Sequence, residues 1–301
     1  MLANTLSQLA RLNEALANQV NEVYYPFPLS TTLHALRVSI AYRGICKAFD
    51  ARYRTQGQEV KRRGWLYEIA GFLVMAWGGS ILTNQLLLTT PVQLLSFQPL
   101  LNYLSVHLLV GLYQNLLPTP SASILDSTLF LLDGSTRTSA TYASLLSVKN
   151  HVNPKVATSL PLEILCGTLA ASGGGQLAFT LNVFDPNLGW KLATPPFLRS
   201  ESGWIDRIDV LAPLVATLLY GILTDSNQAY ENVISLTLVH PPKPILSQVG
   251  GKAILSLVIS SAFALRALVL HHLPTKTPPQ PVEEESKAKL VKNVASSKRR
   301  A

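Results

Sequence analysis

The chain has 301 residues, of which 48% are hydrophobic and only 14% are charged, and its formal net charge is +8. Soluble domains carry about 25% charged residues, so this composition argues against an ordinary soluble protein. Two cysteines, Cys46 and Cys166, are too few for a disulfide framework and have no CxxC spacing for a metal site. The basic residues form no stripe interleaved with aromatic residues, which argues against a nucleic-acid partner. An all-α integral membrane protein is the remaining class.

Seven segments are candidates for membrane-spanning helices, which need about 17–25 mostly apolar residues. Three pass this criterion clearly, two are shorter or more polar, and two contain charged side chains, so a five-span interpretation stays open. Charged groups at membrane depth must face a partner or a hydrated cavity, and polar spans would suit a protein with a watery interior. The three clear segments are 65–88, 160–184 and 252–273. The two shorter or more polar segments are 100–117 and 208–223, and the two charged segments are 27–44 and 123–148.

The distribution of basic residues orients the predicted helices. Six lysines and arginines lie between residues 47 and 63, whereas residues 89–99 carry no charge. The positive-inside rule therefore places the first of these segments in the cytosol. With seven spans the N-terminus is lumenal or exterior and the C-terminus is cytosolic. Lys149 and Lys155 fit this arrangement least, because they fall on the opposite side.

An internal repeat relates two of the apolar segments. Residues 68–82 align with residues 163–177 at an offset of 95 and share the pattern E-I-x6-A-x-G-G-x-x-L. Each copy belongs to the second span of a group of three. Because three is an odd number, the two groups must cross the bilayer in opposite directions, and inverted repeats of this kind recur in transporters.

The repeated glycines have two interpretations. Gly78 and Gly79 in one copy, and Gly173 and Gly174 in the other, fall near the middle of their spans. Glycine lowers helix propensity by about 1 kcal/mol relative to alanine, so the pairs predict two kinked helices that line or constrict a conduction path. The alternative is close helix packing through small residues.

The ionisable residues in the spans also have ordinary structural explanations. Arg137 can form an i, i+4 ion pair with Asp133, and Arg37 can extend to the membrane interface. For Arg266 an interfacial position and a pore-side position are equally good interpretations. Glu68 and Glu163 lie near predicted helix N-termini, where a carboxylate is favoured, so we expect helix capping from both.

The glycine motifs and their context resemble the trimeric intracellular cation (TRIC) channels of eukaryotic endomembranes. The resemblance covers residues 27–273 and rests mainly on the segments 76–82 and 171–175. It implies seven transmembrane helices as an inverted 3+3 repeat plus one, with the second and fifth helices kinked at glycine triplets. Here the triplets are Gly78-Gly79-Ser80 and Gly173-Gly174-Gly175, so Ser80 stands where the family has a third glycine.

The resemblance also implies roles for basic residues. Arg137 matches a fourth-helix arginine of the family, and Arg266 falls where its last helix carries a basic residue, so both are candidates for lipid binding or gating. Asp133 replaces a family lysine, which puts the family's voltage response and its anionic-lipid site in doubt for this chain.

The implied function is a homotrimeric potassium channel of the endoplasmic reticulum or another intracellular membrane, with a pore in each subunit. Such channels supply counter-ion current during calcium release. No cofactor is expected beyond anionic phospholipid and the permeant cation. A secondary transporter and a non-conducting membrane scaffold remain alternatives. No catalytic motif is found, so we expect no enzyme activity.

The predicted organisation follows from these segments. Residues 1–22 form an amphipathic N-terminal segment, and residues 23–273 form the membrane domain. Within that domain, repeat one covers 23–118, repeat two covers 121–224, and the final helix covers 252–273. Residues 274–301 are rich in proline, glutamate and lysine and are expected to form a disordered, basic cytosolic tail.

Overall fold

The computed structural model describes residues 2–116, 121–200, 203–230 and 244–273 of the chain. Within these ranges the regular structure is almost entirely helical. The predicted basic tail, residues 274–301, lies outside them.

The N-terminal segment forms a helix and a small hairpin. Helix α1, Leu2–Ala15, is followed by strands β1, Gln19–Asn21, and β2, Tyr25–Pro28, which pair antiparallel. The side-chain oxygen of Asn21 accepts the amide protons of Val23 and Tyr24 at 2.9 and 2.8 Å, so the asparagine closes the turn. The hairpin departs from the all-α fold predicted from the sequence, because hydropathy does not detect so short a turn.

Among the residues that the structure describes, seven long helices of 19 to 28 residues follow, and a four-residue helix lies between two of them. Each candidate span coincides with one long helix, including the two charged ones. Three of these helices, Trp65–Leu86, Trp204–Thr224 and Gln248–His271, are long and apolar enough to cross a membrane by length and composition. The bounds are α2 Leu29–Thr55, α3 Trp65–Leu86, α4 Gln98–Leu116, α5 Ala122–Lys149, α6 Pro154–Ala157, α7 Leu160–Thr180, α8 Trp204–Thr224 and α9 Gln248–His271.

Helix α2 is longer than its predicted span. Its 27 residues measure about 40 Å at 1.5 Å per residue, which exceeds the roughly 30 Å hydrocarbon core of a bilayer. Arg52 and Arg54 therefore lie in its last turn rather than in a loop. Basic side chains in a last turn also complement the helix dipole.

Side-chain contacts fix the relative directions of the helices. Helices α2 and α3 are antiparallel, because Tyr42 lies against Gly71 while Arg43 pairs with Glu68. Helix α4 runs parallel to α2, since its Asn102 binds Thr31 near the start of α2.

The helices of the second group, α5, α7 and α8, also alternate in direction. Helix α5 runs antiparallel to α7, with Arg137 bonded to Ala171 and Thr141 bonded to Gly167. The contacts of Gly167 with Thr217 and of Glu163 with Ser226 make α8 antiparallel to α7 in turn.

Two larger apolar cores and a small cluster of Leu87, Val148 and Cys166 hold the described helices together. One lies among α2, α3, α4 and the turn after α7, and its largest fully buried side chains are Tyr42, Phe72 and Phe184. The other lies among α5, α8 and α9, around Leu255 and Ile259. Helix α4 also exposes an apolar surface, with Leu108, Leu109 and Leu112 each 58–63% exposed, as expected of a face that meets lipid or another subunit.

Arg63 joins the connection between α2 and α3 to the second group of helices. Its guanidinium donates to Asp50 at 2.9 Å and to the carbonyl oxygen of Phe184 at 2.7 Å. Burial is the largest single effect on Arg63 and opposes its charge. The hydrogen bond to Asp50, the charge of that carboxylate and the nearby acidic groups of Cys46 and Tyr42 together outweigh burial, so the pKa of the guanidinium is raised above its ordinary value.

Candidate functional site at the helix crossing

The two glycine motifs meet where α3 crosses α7. A methyl group added at Gly79 would lie 2.6 Å from the carbonyl oxygen of Ala170 and 2.7 Å from that of Leu169. On the other helix, a methyl group at Gly173 would lie 2.9 Å from the α-carbon of Gly79. Carbon atoms do not approach this closely in packed proteins, so neither position accepts a side chain unless the helices move apart.

The other two predicted glycines complete the contact. A methyl group at Gly78 would lie 3.1 Å from the α-carbon of Gly174. One at Gly174 would overlap the carbonyl oxygen of Met75. All four glycines of the repeated pattern therefore lie in one backbone-to-backbone contact, which is the small-residue packing seen between membrane helices.

The third member of each triplet lies beside this contact. A methyl group at Gly175 would meet nothing within 4 Å. The hydroxyl of Ser80 donates to Gln93 at 3.2 Å, and its carbonyl oxygen accepts from Asn84 at 2.8 Å. Ser80 thus links α3 to the short 3-10 turn Val92–Leu94 instead of extending the glycine surface.

Both helices run without interruption through their glycine motifs. Helix α3 is α-helical across residues 78–80, and α7 is α-helical across residues 173–175. Close packing is accordingly the interpretation that the contact distances support directly, and the hinge stays a prediction.

Arg137 binds the backbone of α7 next to its glycine motif. Its Nη1 atom donates to the carbonyl oxygen of Ala171 at 2.6 Å, and the guanidinium lies 4.4 Å from the ring centre of Phe263. The expected i, i+4 pair with Asp133 is wrong, because Asp133 is engaged by an arginine from another helix.

That arginine is Arg37. We expected its side chain to extend to the membrane interface, but it binds two aspartates of α5 instead. Its Nε atom lies 2.9 Å from Asp133, and its Nη2 atom lies 2.7 Å from Asp126. His271 approaches Asp126 from α9 at 3.0 Å. The side chains of Arg37 and Asp133 are only 16% and 13% exposed. Because water solvates these charges so little, each requires the opposite charge of the other to compensate for its lost hydration.

Arg266 shares an aspartate with Arg137. The carboxylate of Asp209 lies 3.7 Å from Arg266 and 3.6 Å from Arg137. Its Oδ1 atom is buried and has no hydrogen bond of ordinary geometry, so the two cations hold it by charge.

Sequence reasoning did not identify Asp209 as a site residue. Hydropathy places it at the start of a predicted apolar span, where a single carboxylate is normally interpreted as part of the helix terminus. A charge inside an apolar span requires a partner of opposite charge. The candidate arginines Arg137 and Arg266 therefore indicated that a carboxylate in another span, such as Asp209, would pair with them.

The two repeated glutamates also differ from the expected caps. The caps of α3 and α7 are Gly64 and Ser159. Glu68 instead pairs with Arg43 at 2.9 Å, and Glu163 accepts a short hydrogen bond from Ser226. Both carboxylates do lie in the first turn of their helices, where the dipole favours them.

Comparison with known proteins identified one informative structure. No protein-family model matches the chain, and a search of curated proteins found no significant match. Among solved structures, a trimeric intracellular cation channel from C. elegans, determined in the absence of Ca2+, aligns with a TM-score of 0.50 at 16% identity. The alignment covers 89% of this chain and 99% of that channel. The chain therefore has the fold of a trimeric intracellular cation channel, which confirms at the level of fold the resemblance drawn from its sequence.

Proposed function

We propose that the chain is a channel for monovalent cations, chiefly potassium, in the endoplasmic reticulum or another intracellular membrane. Three copies assemble in the bilayer, and each contains its own conduction path, with the N-terminus in the lumen and the C-terminus in the cytosol. The observation that carries the proposal is the crossing of two glycine motifs, one from each half of a TRIC-like fold, beside a layer of paired charges.

The crossing represents a non-conducting arrangement. Backbone atoms of α3 and α7 are in contact at Gly79 and Ala170, which leaves no space for an ion between the helices. A conduction path between α3 and α7 therefore requires the helices to bend or separate at this point. Glycine is the residue that permits such a change, because it adopts more backbone conformations than any other.

The helix directions support an inverted repeat. Helices α2, α3 and α4 alternate in direction, and so do α5, α7 and α8. Helix α3 is antiparallel to α7, since Met75 lies against Gly174 while Gly79 lies against Ala170. These directions are the ones that an inverted repeat would have, and the crossing of the two second helices supports a pathway at the interface between the halves, where inverted-repeat transporters carry theirs.

The charges beside the crossing balance. Three arginines and three aspartates among the described residues form this layer, so a cation that passes meets no net positive barrier. Each arginine is held by at least one carboxylate. The six residues are Arg37, Arg137, Arg266, Asp126, Asp133 and Asp209.

Arg137 is the candidate gating residue. The Ala171 carbonyl that it binds belongs to the turn of α7 that leads into Gly173–Gly175, so the hydrogen bond holds this turn in place. An anionic phospholipid headgroup that attracts Arg137 and Arg266 would compete with the bond and release α7. Asp133 adds a negative charge that the family's lysine would not, so lipid binding here is weaker than in the family.

The physiological role follows from the energy of charge movement. Moving one elementary charge against 100 mV costs about 2.3 kcal/mol, so calcium release from a store stops early unless another ion compensates. A potassium channel in the same membrane supplies that counter-current.

The first test is electrical recording. We expect the purified chain, reconstituted in planar bilayers under a potassium gradient, to produce discrete unitary currents that reverse near the potassium equilibrium potential. Flux that saturates with a solute, without unitary steps, would identify a secondary transporter. A silent bilayer containing folded trimers would identify a scaffold.

The second test replaces a glycine at the crossing. Gly174→Leu places a side chain against the Met75 carbonyl, at a packing cost of about 1–3 kcal/mol, and we expect it to lower or abolish the potassium current while the protein elutes as a folded trimer. The matched control is Gly44→Leu, since position 44 of α2 has open space around it and lies outside both glycine motifs. Wild-type conductance in Gly174→Leu would contradict a role for the crossing.

The third test removes the hydrogen bond of Arg137. A bond to a charged donor contributes about 1.5–3 kcal/mol, so Arg137→Gln should shift the open-to-closed ratio toward the open state by about tenfold or more. Single-channel recording measures the open probability directly. The control is Arg207→Gln, because Arg207 is an exposed basic residue of α8. Equal open probabilities in the two variants would rule out the proposed role of Arg137.

A further inference from the structure

The segment that joins α7 to α8 exposes large apolar side chains although it is not a membrane-spanning helix. In residues 186–200, which we name the connecting segment, the regular structure is one short 3-10 turn, Pro196–Leu198. Leu192 is 82% exposed and Leu198 is 62% exposed. Contact with lipid explains such side chains on a spanning helix, but a connection between two helices needs another explanation for its apolar surface.

Backbone hydrogen bonds hold the connecting segment beside the last turn of α7. The amide of Lys191 donates to the carbonyl oxygen of Leu181 at 3.1 Å. The amide of Ala193 donates to that of Thr180 at 2.8 Å. The chain therefore turns back along α7 after it leaves the helix. Leu192, which lies between the two bonded residues, is exposed at the depth of the helix end.

The same depth is the start of two helices that can span a membrane. Trp190 packs edge-on against Tyr67 in the first turn of α3, with the ring centres 6.0 Å apart. Helix α3 begins at Trp65 and α8 begins at Trp204. Three of the four tryptophans of the chain are thus exposed at this end of the bundle. Tryptophan is enriched where the hydrocarbon meets the lipid headgroups, so this end marks one edge of the bilayer.

The charge of the connecting segment suits a lipid surface. The segment contains Lys191 and Arg199 and no acidic residue, and both basic side chains are exposed. The guanidinium of Arg199 lies 5.9 Å from the ring centre of Phe179 in the last turn of α7, so this charge is also at the depth of the helix end. Basic side chains at a membrane surface attract anionic headgroups, which the cytosolic leaflet contains.

We propose that the connecting segment lies in the headgroup region of the adjacent leaflet, with Leu188, Trp190, Leu192 and Leu198 in contact with the acyl chains. Apolar side chains beside lysine and arginine anchor interfacial helices in this region, and the same chemistry applies to a segment held at that depth. The inference rests on the proposed function only in naming this leaflet as cytosolic. Insertion of the segment in a protein that does not conduct would leave it intact.

The test measures the depth of a spin label at position 192. Leu192→Cys is introduced into the full chain, which is labelled with a nitroxide and reconstituted in vesicles of phosphatidylcholine and phosphatidylserine. Molecular oxygen concentrates among acyl chains, whereas a neutral nickel chelate stays in water, so the ratio of their collision rates with the label reports its depth. We expect a ratio several-fold higher than at an aqueous site. The two native cysteines are buried, and the labelled wild-type chain gives their contribution.

The matched aqueous site is Gln58→Cys. Gln58 is an exposed residue of the connection that follows α2. It is on the same side of the membrane as the connecting segment, because the side-chain amide of Asn187 donates to the carbonyl oxygen of Glu59 at 2.8 Å. Helix α2 is longer than the hydrocarbon core of a bilayer, so we expect Gln58 to lie in water.

Native fluorescence gives a second readout without a new cysteine. Lipids brominated on their acyl chains quench a tryptophan that touches them, so they should quench the exposed Trp190 and not the buried Trp77. Trp190→Phe should therefore remove part of the quenched fluorescence. Trp77→Phe is the control, and it should leave the quenched part unchanged.

Two results would overturn the proposal. Nickel collisions at position 192 as frequent as those at position 58 would place the connecting segment in water. An immobilised label at position 192 that neither oxygen nor the nickel chelate reaches, with no loss of quenched fluorescence in Trp190→Phe, would show that a neighbouring subunit covers the segment.

Discussion

The backbone contact between α3 and α7 is the constraint on which the rest of the fold depends. With Gly79 against Ala170 and Gly78 against Gly174, no side chain separates these helices at their crossing. Next to the crossing, the Ala171 carbonyl of α7 accepts a hydrogen bond from Arg137 on α5. It also joins the two groups of three helices at the middle of the molecule, so a change at the crossing moves both groups.

The paired charges follow from the same packing. An arginine in a dry helical bundle costs several kcal/mol unless a carboxylate and further hydrogen bonds compensate. The chain meets this requirement across helices, with Arg37 of α2 on the aspartates of α5 and Arg266 of α9 on Asp209 of α8. These links hold the charged helices in register, and they leave Arg137 joined to the backbone of the helix that we propose to move.

The sequence predicted the elements better than their partners. Apolar length located the seven long helices, and the repeated glycine pattern located Gly78, Gly79, Gly173 and Gly174, because small residues at a fixed spacing have few uses inside an apolar helix. The contacts of Asp133 could not be found this way. A local i, i+4 rule assigned it to Arg137, whereas tertiary packing supplied Arg37, which lies 96 residues earlier.

A cross-link that locks the crossing tests most directly whether α3 and α7 must move during conduction. A Cβ atom at Gly78 would lie 3.4 Å from that of Leu177, close to the 3.5–4.5 Å separation of a disulfide, so Gly78→Cys with Leu177→Cys should cross-link α3 to α7. In planar bilayers we expect this double variant to carry no potassium current when oxidised and to conduct after reduction, while neither single variant responds to reductant. Equal unitary currents before and after reduction of a demonstrated cross-link would contradict the claim that the two helices must move at their glycines.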